Sequence, residues 1–408
     1  MDRFSVEDFR RFWRLFLEWS DLPWRGAAEP VCVGDACEAA RFFPDLRLNY
    51  AECLLVGRPD KAVLTACHAD GSRDRFTRGA LRGAAARLAT SLQRLGVGRG
   101  DHVAAIARNN AEAVIAALAT AAIGATFASC SPDMSVPAML ARFAPLEPVV
   151  LFGCLRAEPW DLGVPVPERV AGAAAGLQGL AAIIALDDGS LPAGEQTAPL
   201  HRLADLLVEA DGGDDRSEWL RHSFNQPLFT MFSSGTTGAP KCIQHGAGGT
   251  LLEHVKEHRL HCDLGPGDKL FFQTSCGWMM WNWQLSALAS GVELVLYDGP
   301  LEAPDTFWRI VAGERVTVYG TNPAYLQFCE NLGFAPGRVF DLSGLRAALS
   351  TGSILHPRQY DWVRGQVKAA MPLQSISGGT DPRGSLQIPP GVVSQIPPPA
   401  RQDKGLLV

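Results

Sequence analysis

The pattern of apolar and polar positions changes period repeatedly along the chain. From residue 61 onward, short runs of consecutive apolar residues alternate with longer stretches in which apolar residues recur every three or four positions. Runs of the first kind are typical of buried strands, and stretches of the second kind are typical of helices. In the first half, this pattern predicts strands at 62–65, 102–107 and 126–130, and helices at 77–95 and 110–122.

The second half of the chain repeats the same alternation. Strands that alternate with helices of this length predict a parallel sheet with helices on both faces. We therefore predict the α/β class, with two doubly wound subdomains. The second-half pattern predicts strands at 269–273, 292–297, 316–319, 345–350 and 373–376, and helices at 249–260, 281–290, 304–313, 323–332 and 357–368.

Four segments depart from this alternation. Residues 4–20 carry aromatic side chains among charges at helical spacing, which predicts an amphipathic helix packed on the body of the protein. Residues 153–200, rich in alanine, glycine and proline, predict a surface insertion, and the charged residues 211–216 predict a linker. The proline-rich residues 382–408 lack a periodic apolar face, which predicts disorder. The predicted units are an N-terminal extension (1–57), a first α/β subdomain (58–225), a second α/β subdomain (226–381) and a disordered tail (382–408).

Composition is that of a soluble globular protein. The 408 residues leave room for two or three domains, and 47% of them are hydrophobic and 20% charged. A net charge of −6 lacks the basic footprint of nucleic-acid binding, which argues against that class as a main role. Ten cysteines at irregular spacing, without a Cys-x-x-Cys pair, indicate reduced thiols in an intracellular compartment. The longest uncharged stretch, 113–130, falls short of a membrane span, so we predict a cytosolic protein without a membrane partner.

The chemistry is concentrated in a loop rich in hydroxyl groups. The apolar run 228–232 leads into Ser-Ser-Gly-Thr-Thr-Gly-Ala-Pro-Lys, which ends at Lys241. Glycines at 235 and 238 allow the backbone to take positive φ and to approach a ligand closely. Backbone N–H groups and hydroxyls then surround phosphate oxygens, and the lysine adds a positive charge. The segment therefore predicts a strand that runs into a polyphosphate-binding loop.

This loop is not a P-loop, which requires glycine before the lysine and serine or threonine after it. Pro240 and Cys242 occupy those positions, which argues against a P-loop phosphotransferase. The order Ser-Gly-Thr-Thr-Gly-x-Pro-Lys instead resembles the signature loop of the adenylate-forming acyl-CoA synthetase superfamily. Within it, Gly-Trp-Met-Met-Trp-Asn at 277–282 and Ser-Ile-Ser-Gly-Gly-Thr-Asp at 375–381 resemble the acetoacetyl-CoA synthetase family. The segments Ser-Thr-Gly-Ser at 350–353 and residues 43–52 support the same resemblance, which covers residues 5–381.

The resemblance implies a fold and a reaction. The fold would be the large N-terminal domain of the adenylate-forming enzymes. The reaction would be an acid–thiol ligation, in which acetoacetate, ATP and CoA give acetoacetyl-CoA, AMP and pyrophosphate through an acyl-adenylate. ATP and Mg²⁺ would be required, CoA would be the co-substrate, and the product would serve ketone-body use in lipid synthesis.

The resemblance also assigns roles to individual residues. The loop over the β- and γ-phosphates would comprise Ser233, Ser234, Gly235, Thr236, Thr237, Gly238 and Lys241. The adenine would lie against Gly352, Ser353, Ile354, Ser377, Gly378 and Gly379. Thr380 would contact the α-phosphate and Asp381 would help to hold Mg²⁺, so that these two and Lys241 form the expected catalytic set. The acyl and pantetheine wall would be formed by Trp278, Met279, Met280, Trp281 and Asn282, completed by Gly320 and Thr321.

Several alternatives stay open. Tryptophans and methionines at this spacing are equally typical of plain core. Members of the family continue beyond the segment that ends at Asp381, with a ribose-binding Asp, a hinge and a C-terminal lid domain that carries a catalytic Lys. We expect those parts to be missing here and strand 373–376 to have an open edge. A catalytically dead isoform with at most partial nucleotide binding, or another short-chain acyl-CoA synthetase, therefore remains an alternative.

A histidine cluster at 254–262 invites a metal hypothesis. His254, His258 and His261 precede Cys262, but the metalloprotease pattern requires Glu after the first histidine, where Val255 stands. We interpret the cluster as a polar helix face.

Overall fold

The structure is a computed structural model that describes residues 2–34, 39–194, 197–209, 219–233, 240–378 and 393–395. Its strands, numbered along the chain, are β1 Trp24–Gly26, β2 Cys32–Val33, β3 Arg41–Phe42, β4 Leu46–Leu48, β5 Ala62–Cys67, β6 Arg73–Thr77, β7 His102–Ile106, β8 Thr126–Cys130, β9 Val150–Gly153, β10 Ala182–Ala185, β11 Leu200–Arg202, β12 His222–Ser223, β13 Pro227–Ser233, β14 Lys241–Gly246, β15 Lys269–Phe272, β16 Glu293–Tyr297, β17 Val318–Thr321, β18 Ala347–Ser350, β19 Leu373–Ser377 and β20 Val393–Gln395.

Helices connect most of these strands. They are α1 Asp2–Glu7, α2 Phe9–Trp19, α3 Tyr50–Leu55, α4 Arg78–Arg94, α5 Ala111–Ala122, α6 Val136–Phe143, α7 Val166–Gly176, α8 Leu203–Glu209, α9 Ala247–Lys256, α10 Met279–Ser286, α11 Thr306–Gly313, α12 Pro323–Asn331, α13 Pro336–Val339 and α14 Pro357–Gln366. A π-helical turn, Glu257–His261, continues α9, and 3₁₀ turns follow α6 and α10. None of the helices described is both long enough and apolar enough to cross a membrane.

Two large sheets carry the body of the protein. Among the described residues, the first sheet has the order β11-β10-β9-β7-β8-β13-β14, and only its β13–β14 pair is antiparallel. The second has the order β20-β19-β18-β17-β15-β16-β5-β6, with antiparallel pairs only at its two ends. The predicted α/β class with two largely parallel sheets is confirmed.

Each sheet has one strand from which the chain proceeds in both directions. After β7 the chain adds β8 on one side and then β9 on the other. After β15 it adds β16 on one side and then β17 on the other. In open α/β sheets, ligands bind beyond the carboxyl ends of the strands at such switch points. The topology therefore indicates a candidate ligand site at the residues that follow β7 and β15.

Sheet membership does not follow the chain division predicted at residue 225. Strands β5 and β6 precede that boundary but belong to the second sheet, whereas β13 and β14 follow it and belong to the first. The reason is that the sequence of an apolar strand does not show which strand it pairs with. The sequence pattern therefore could not predict that β5 pairs with β16. The limits of the functional units stay predictions.

The prediction of a surface insertion at 153–200 is wrong. All four residues of β10 are buried, and α7 buries one face against the first sheet. Some of the glycines that suggested tolerance are close-packing positions instead. A Cβ added at Gly153 would lie 2.7 Å from Val170 Cγ1, and one at Gly176 would lie 2.6 Å from Leu140 Cδ1.

The predicted open edge of strand 373–376 is also wrong in part. Val393–Gln395 pairs antiparallel with β19, with Ser375 opposite Gln395 and Ser377 opposite Val393. The prediction of disorder covered 382–408 and is wrong at Val393–Gln395, which forms this strand. The rest of the predicted tail, 382–392 and 396–408, lies outside the described residues.

The N-terminal extension packs on the body through α2, as predicted. Phe12, Phe16 and Leu17 of this helix are buried, and Asp8 accepts a hydrogen bond from Arg11 N at its start. Arg259 Nη1, on the π-helical turn, donates to the carbonyl of Ser20 just beyond α2 at 2.7 Å. An amphipathic helix is thus fixed by both its apolar face and its carboxyl end.

The interpretation of the histidine cluster as a polar helix face is wrong, because that face lies inside the protein. His254 and His258 are 1% and 0% exposed, and Glu253 and Glu257 beside them are also buried. Burial lowers the pKa of His254 well below its ordinary value and lowers that of His258 to about 3. Both histidines are therefore neutral at pH 7. Among the described residues, no group of three or more His, Cys, Asp or Glu could hold a metal ion.

This burial generates a prediction for acid stability. Because the pKa of His258 lies at about 3 in the folded protein and near 6.5 otherwise, the unfolded chain binds more protons between these values. The free energy of unfolding therefore falls as the pH drops below about 6.5. In urea titrations at pH 7 to 4, His258→Phe should reduce that pH slope by up to about 1.4 kcal/mol per pH unit.

The matched control is the same substitution at His201, a partly exposed residue of β11. It measures the effect on the slope of replacing a histidine that is not buried, against which the change in His258→Phe is compared. An unchanged slope in His258→Phe would contradict the assignment of His258 as a buried neutral imidazole.

Candidate functional site

The carboxyl ends of the two sheets meet at the segment that connects β15 to α10. Ser129 Oγ, near the end of β8, donates to the Cys276 carbonyl at 2.7 Å. A Cβ added at Gly277 would lie 3.6 Å from Cys130 Cα, so the segment follows the end of β8 closely. Residues 273–278, which we call the junction segment, thereby place the carboxyl ends of β8 and β15 side by side.

The predicted phosphate loop connects the last two strands of the first sheet. Ser233 is the last residue of β13 and pairs with Lys241, the first residue of β14. Because β13 runs parallel to β8, this pair lies at the same carboxyl end as the junction segment. Lys241 is exposed there. Ser234, Gly235, Thr236, Thr237 and Gly238 lie outside the described residues, as does the side chain of Ser233.

The predicted adenine segments follow two neighbouring strands of the second sheet. Gly352 comes just after β18 with φ +93°, a conformation that favours glycine, and a Cβ there would meet nothing within 4 Å. Ser353 and Ile354 are exposed, the latter by 78%. Ser377 and Gly378, at the end of the adjacent β19, are exposed as well. Gly379, Thr380 and Asp381 lie outside the described residues.

A buried hydroxyl adds polar character beside these segments. Ser350, the last residue of β18, is 1% exposed, and its Oγ has no hydrogen-bond partner among the described residues. Buried polar atoms are normally satisfied, so an atom of this kind suits a polar ligand or an ordered water. The open turn at Gly352 and this hydroxyl fit a nucleotide at the carboxyl end of β18.

The structure divides the predicted acyl wall into accessible and buried parts. Trp278 is 68% exposed, and Met279 and Met280 are half-buried against the core. Trp281 and Asn282 are buried, and their polar atoms already have partners. The Trp281 indole donates to Asn109 Oδ1 at 3.0 Å, and Asn282 Nδ2 lies 2.8 Å from the sulfur of Met231. Only the first three residues are placed to touch a ligand directly, and their role stays a prediction.

Gly320 and Thr321 lie at the carboxyl end of β17, next to β15. Thr321 is buried, and its hydroxyl donates to Gln273 Oε1 at 2.9 Å. The ring of Phe272 packs directly on Gly320, where a Cβ would overlap it. Glycine is required here by close packing.

Sequence reasoning missed the polar residues that follow β7. Arg108 forms an ion pair with Asp161 at 2.7 Å, and its carbonyl accepts a hydrogen bond from the Cys276 thiol at 3.2 Å. Asn109 contacts the junction segment through its side chain. Two consecutive asparagines after a strand were available as a signal, but Asn110 accounts for the pattern locally, because it caps α5 by accepting from Ala113 N.

The thiols at this junction are unreactive. Burial raises the pKa of Cys130 and of Cys276 well above the ordinary range, so both stay protonated at neutral pH. The only described cysteine that is exposed is Cys242, next to Lys241.

The arrangement of these segments has a counterpart among known proteins. The model of the AMP-binding enzyme family matches residues 55–380. The chain belongs to this family. The match includes the predicted adenine segments up to residue 380, the predicted phosphate loop and the junction segment.

Individual relatives show which members of the family the chain is similar to. An acetoacetyl-coenzyme A synthetase from Rhizobium meliloti (strain 1021) is 40% identical over 381 residues, which cover 92% of this chain and 58% of that protein. A malonamoyl-CoA synthetase from Penicillium aethiopicum is 33% identical over 377 residues, covering 85% of this chain and 52% of that protein. The predicted resemblance to acetoacetyl-CoA synthetases is confirmed at the level of sequence.

A solved structure of acetoacetyl-CoA synthetase from Streptomyces lividans superimposes with a TM-score of 0.86 at 36% identity. The superposition covers 96% of this chain and 61% of that structure. The chain therefore spans little more than half the length of the relatives it matches, and the two-sheet fold described above corresponds to a part of them.

Close packing at the carboxyl end of β17 generates a prediction. In Gly320→Ala the new methyl group overlaps the Phe272 ring, which is 1% exposed and packs against Trp283. Because neither ring has space to move, the free energy of unfolding should fall by about 1–3 kcal/mol, as measured by urea denaturation.

Gly249→Ala is the control, because a methyl group on α9 at that position meets nothing within 4 Å. It should be neutral or slightly stabilising. Equal stabilities for the two variants would show that β17 does not require glycine.

Proposed function

We propose that this AMP-binding enzyme is an acid–thiol ligase that activates acetoacetate with ATP and transfers the acyl group to CoA. The similarity to acetoacetyl-CoA synthetases over 92% of the chain is the observation that carries the proposal. The site geometry supports it, because the phosphate-loop strands, the adenine segments and the exposed part of the acyl wall all lie at the carboxyl ends of the two sheets.

The proposed chemistry has two steps. In the first, a carboxylate oxygen of acetoacetate attacks the α-phosphorus of ATP, the bond to the bridging oxygen breaks, and pyrophosphate leaves with its electron pair. In the second, the CoA thiolate attacks the acyl carbonyl and AMP leaves. Both steps transfer charge to phosphate oxygens, which fixed positive charges and aligned donors stabilise.

Roles for individual residues follow from their positions. Lys241 is exposed beside the phosphate loop and would neutralise charge on the departing pyrophosphate. Gly352 and Ser353 would lie against the adenine, and Trp278 would border the acyl group or the pantetheine arm. We extend the proposal to Mg²⁺ at Asp381, to Thr380 as the α-phosphate contact, and to a cytosolic location.

A second candidate substrate is suggested by the malonamoyl-CoA synthetase relative. Malonamate carries an amide where acetoacetate carries a methyl ketone, so both are short acids with a carbonyl at the β position. A pocket with a polar donor or acceptor at its end favours the amide, whereas an apolar end favours the methyl group. Met279 and Met280, half-buried beside Trp278, favour the methyl ketone.

Substrate choice is tested by ATP–pyrophosphate exchange, which reports the first step alone. The protein should incorporate labelled pyrophosphate into ATP with acetoacetate, at a kcat/KM at least about tenfold higher than with malonamate or acetate, because one methyl or polar contact is worth about 1–3 kcal/mol. Faster exchange with malonamate would move the assignment to the second candidate. Failure of all three acids to support exchange would overturn the proposed function.

The role of Lys241 generates a separate prediction. Lys241→Ala removes a counter-charge to the leaving pyrophosphate, so the exchange rate should fall by about 10²–10³-fold, whereas transfer from preformed acetoacetyl-adenylate to CoA should fall much less. Both half-reactions are followed by chromatography of the nucleotide products.

The control is Lys61→Ala, at an exposed lysine just before β5. It should leave both half-reactions unchanged. Equal losses in the two half-reactions of Lys241→Ala would indicate a structural lysine rather than one that acts on pyrophosphate.

A further inference from the structure

The two switch points of the fold are joined by one side chain. Asn109 follows β7, the switch strand of the first sheet, and is 5% exposed. Its Nδ2 donates to the carbonyl of Thr274, which follows β15, the switch strand of the second sheet, at 3.3 Å. Its Oδ1 accepts from the Trp281 indole at 3.0 Å. Asn109 therefore contacts both ends of the segment that carries Trp278.

The chemistry of these partners requires an amide. A backbone carbonyl only accepts hydrogen bonds and an indole N–H only donates one. A side chain that bonds to both at the same time must present one donor and one acceptor at a fixed separation. Aspartate presents two acceptors and no donor, and leucine presents neither a donor nor an acceptor. Both have nearly the same size as asparagine. The position thus distinguishes asparagine from its closest replacements.

The middle of the junction segment is held through both the backbone and the side chain of Cys276. The Cys276 carbonyl accepts from Ser129, and the Cys276 thiol donates to the Arg108 carbonyl. Asn109 contacts the chain on both sides of residues 277–280, because Thr274 precedes them and Trp281 follows them. Its loss would remove a side-chain hydrogen bond on each side of Trp278 while leaving the contacts of Cys276 in place.

We propose that Asn109 is a positioning residue that fixes the loop from Thr274 to Trp281 and thereby holds Trp278 and the two methionines against the acyl group. The proposal rests on the proposed function for the identity of the acyl substrate. It assigns to Asn109 an effect on acid recognition and not on ATP recognition, because the adenine segments follow β18 and β19 and make no described contact with Asn109. Trp281 acts in the same unit, as the partner that fixes the carboxyl side of the loop.

Three variants test the proposal. Asn109→Asp places an acceptor against the Thr274 carbonyl, Asn109→Leu removes both hydrogen bonds, and Trp281→Phe removes only the indole donor. Asn331→Asp, at an exposed position that ends α12, is the matched control. Exchange kinetics are measured with acetoacetate and ATP varied separately, and amide hydrogen exchange is measured by mass spectrometry without ligands.

We expect the KM for acetoacetate to rise about tenfold or more in Asn109→Asp and Asn109→Leu. Asn109→Leu loses the hydrogen bonds to both Thr274 and Trp281, and Asn109→Asp replaces the bond to Thr274 by a contact between two acceptors. The KM for ATP should change less than twofold. Hydrogen exchange of residues 274–282 should accelerate in both variants while that of β17 and β18 stays as in the unmodified protein. Trp281→Phe should show the same pattern with a smaller change.

Three results would overturn the proposal. Equal rises in both KM values, or faster hydrogen exchange throughout both sheets, would make Asn109 a general structural residue. Unchanged exchange at 274–282 would show that it does not fix the loop. If the unmodified protein supports no ATP–pyrophosphate exchange, the proposed function fails, and the hydrogen-exchange comparison still decides whether Asn109 holds the loop.

Discussion

The contact between the carboxyl ends of the two sheets is the constraint on which the candidate site depends. Each sheet alone presents loops at the ends of its parallel strands, but neither brings together the predicted phosphate, adenine and acyl segments. The junction segment joins them because its backbone bonds to Ser129 and to Asn109 on the first sheet while it continues from β15 of the second. The site is therefore a property of the interface between sheets.

The interior near this interface contains a group of polar side chains that bond to one another. Lys256 Nζ lies 3.1 Å from Glu253 and 2.8 Å from Glu257, so one cation serves two buried carboxylates. His254 bonds to Ser286 Oγ, which also contacts the Tyr50 hydroxyl. A shift of these groups would break the hydrogen bonds and ion pairs that they do form in the interior, which favours one arrangement. They connect α9 to α10, the helix that begins immediately after Trp278.

The sequence predicted the elements of the fold more completely than their arrangement. The spacing of apolar residues along the chain identified most strands and helices, because that signal is local. It could not show that β5 pairs with β16, because a buried parallel strand has the same apolar sequence pattern whichever strand lies next to it. It also misread the histidines of α9, because a helical face that is polar but buried has the same pattern as an exposed one.

For the candidate site, the order of glycine, serine and threonine predicted the ligand-facing segments, because their composition is unusual, and their roles stay predictions. Asn109 escaped recognition because a single asparagine after a strand is typical of a helix cap, and its true partners are 165 and 172 positions away in the chain. Contacts of that separation depend on the packing of the two sheets.

A crystal structure of the protein with a bound non-hydrolysable acetoacetyl-adenylate analogue tests the account most directly. We predict the adenine against Gly352 and Gly378, and the acyl group beside Trp278. An analogue bound elsewhere, or absent from this crevice at saturating concentration, would contradict the placement of the site between the two sheets.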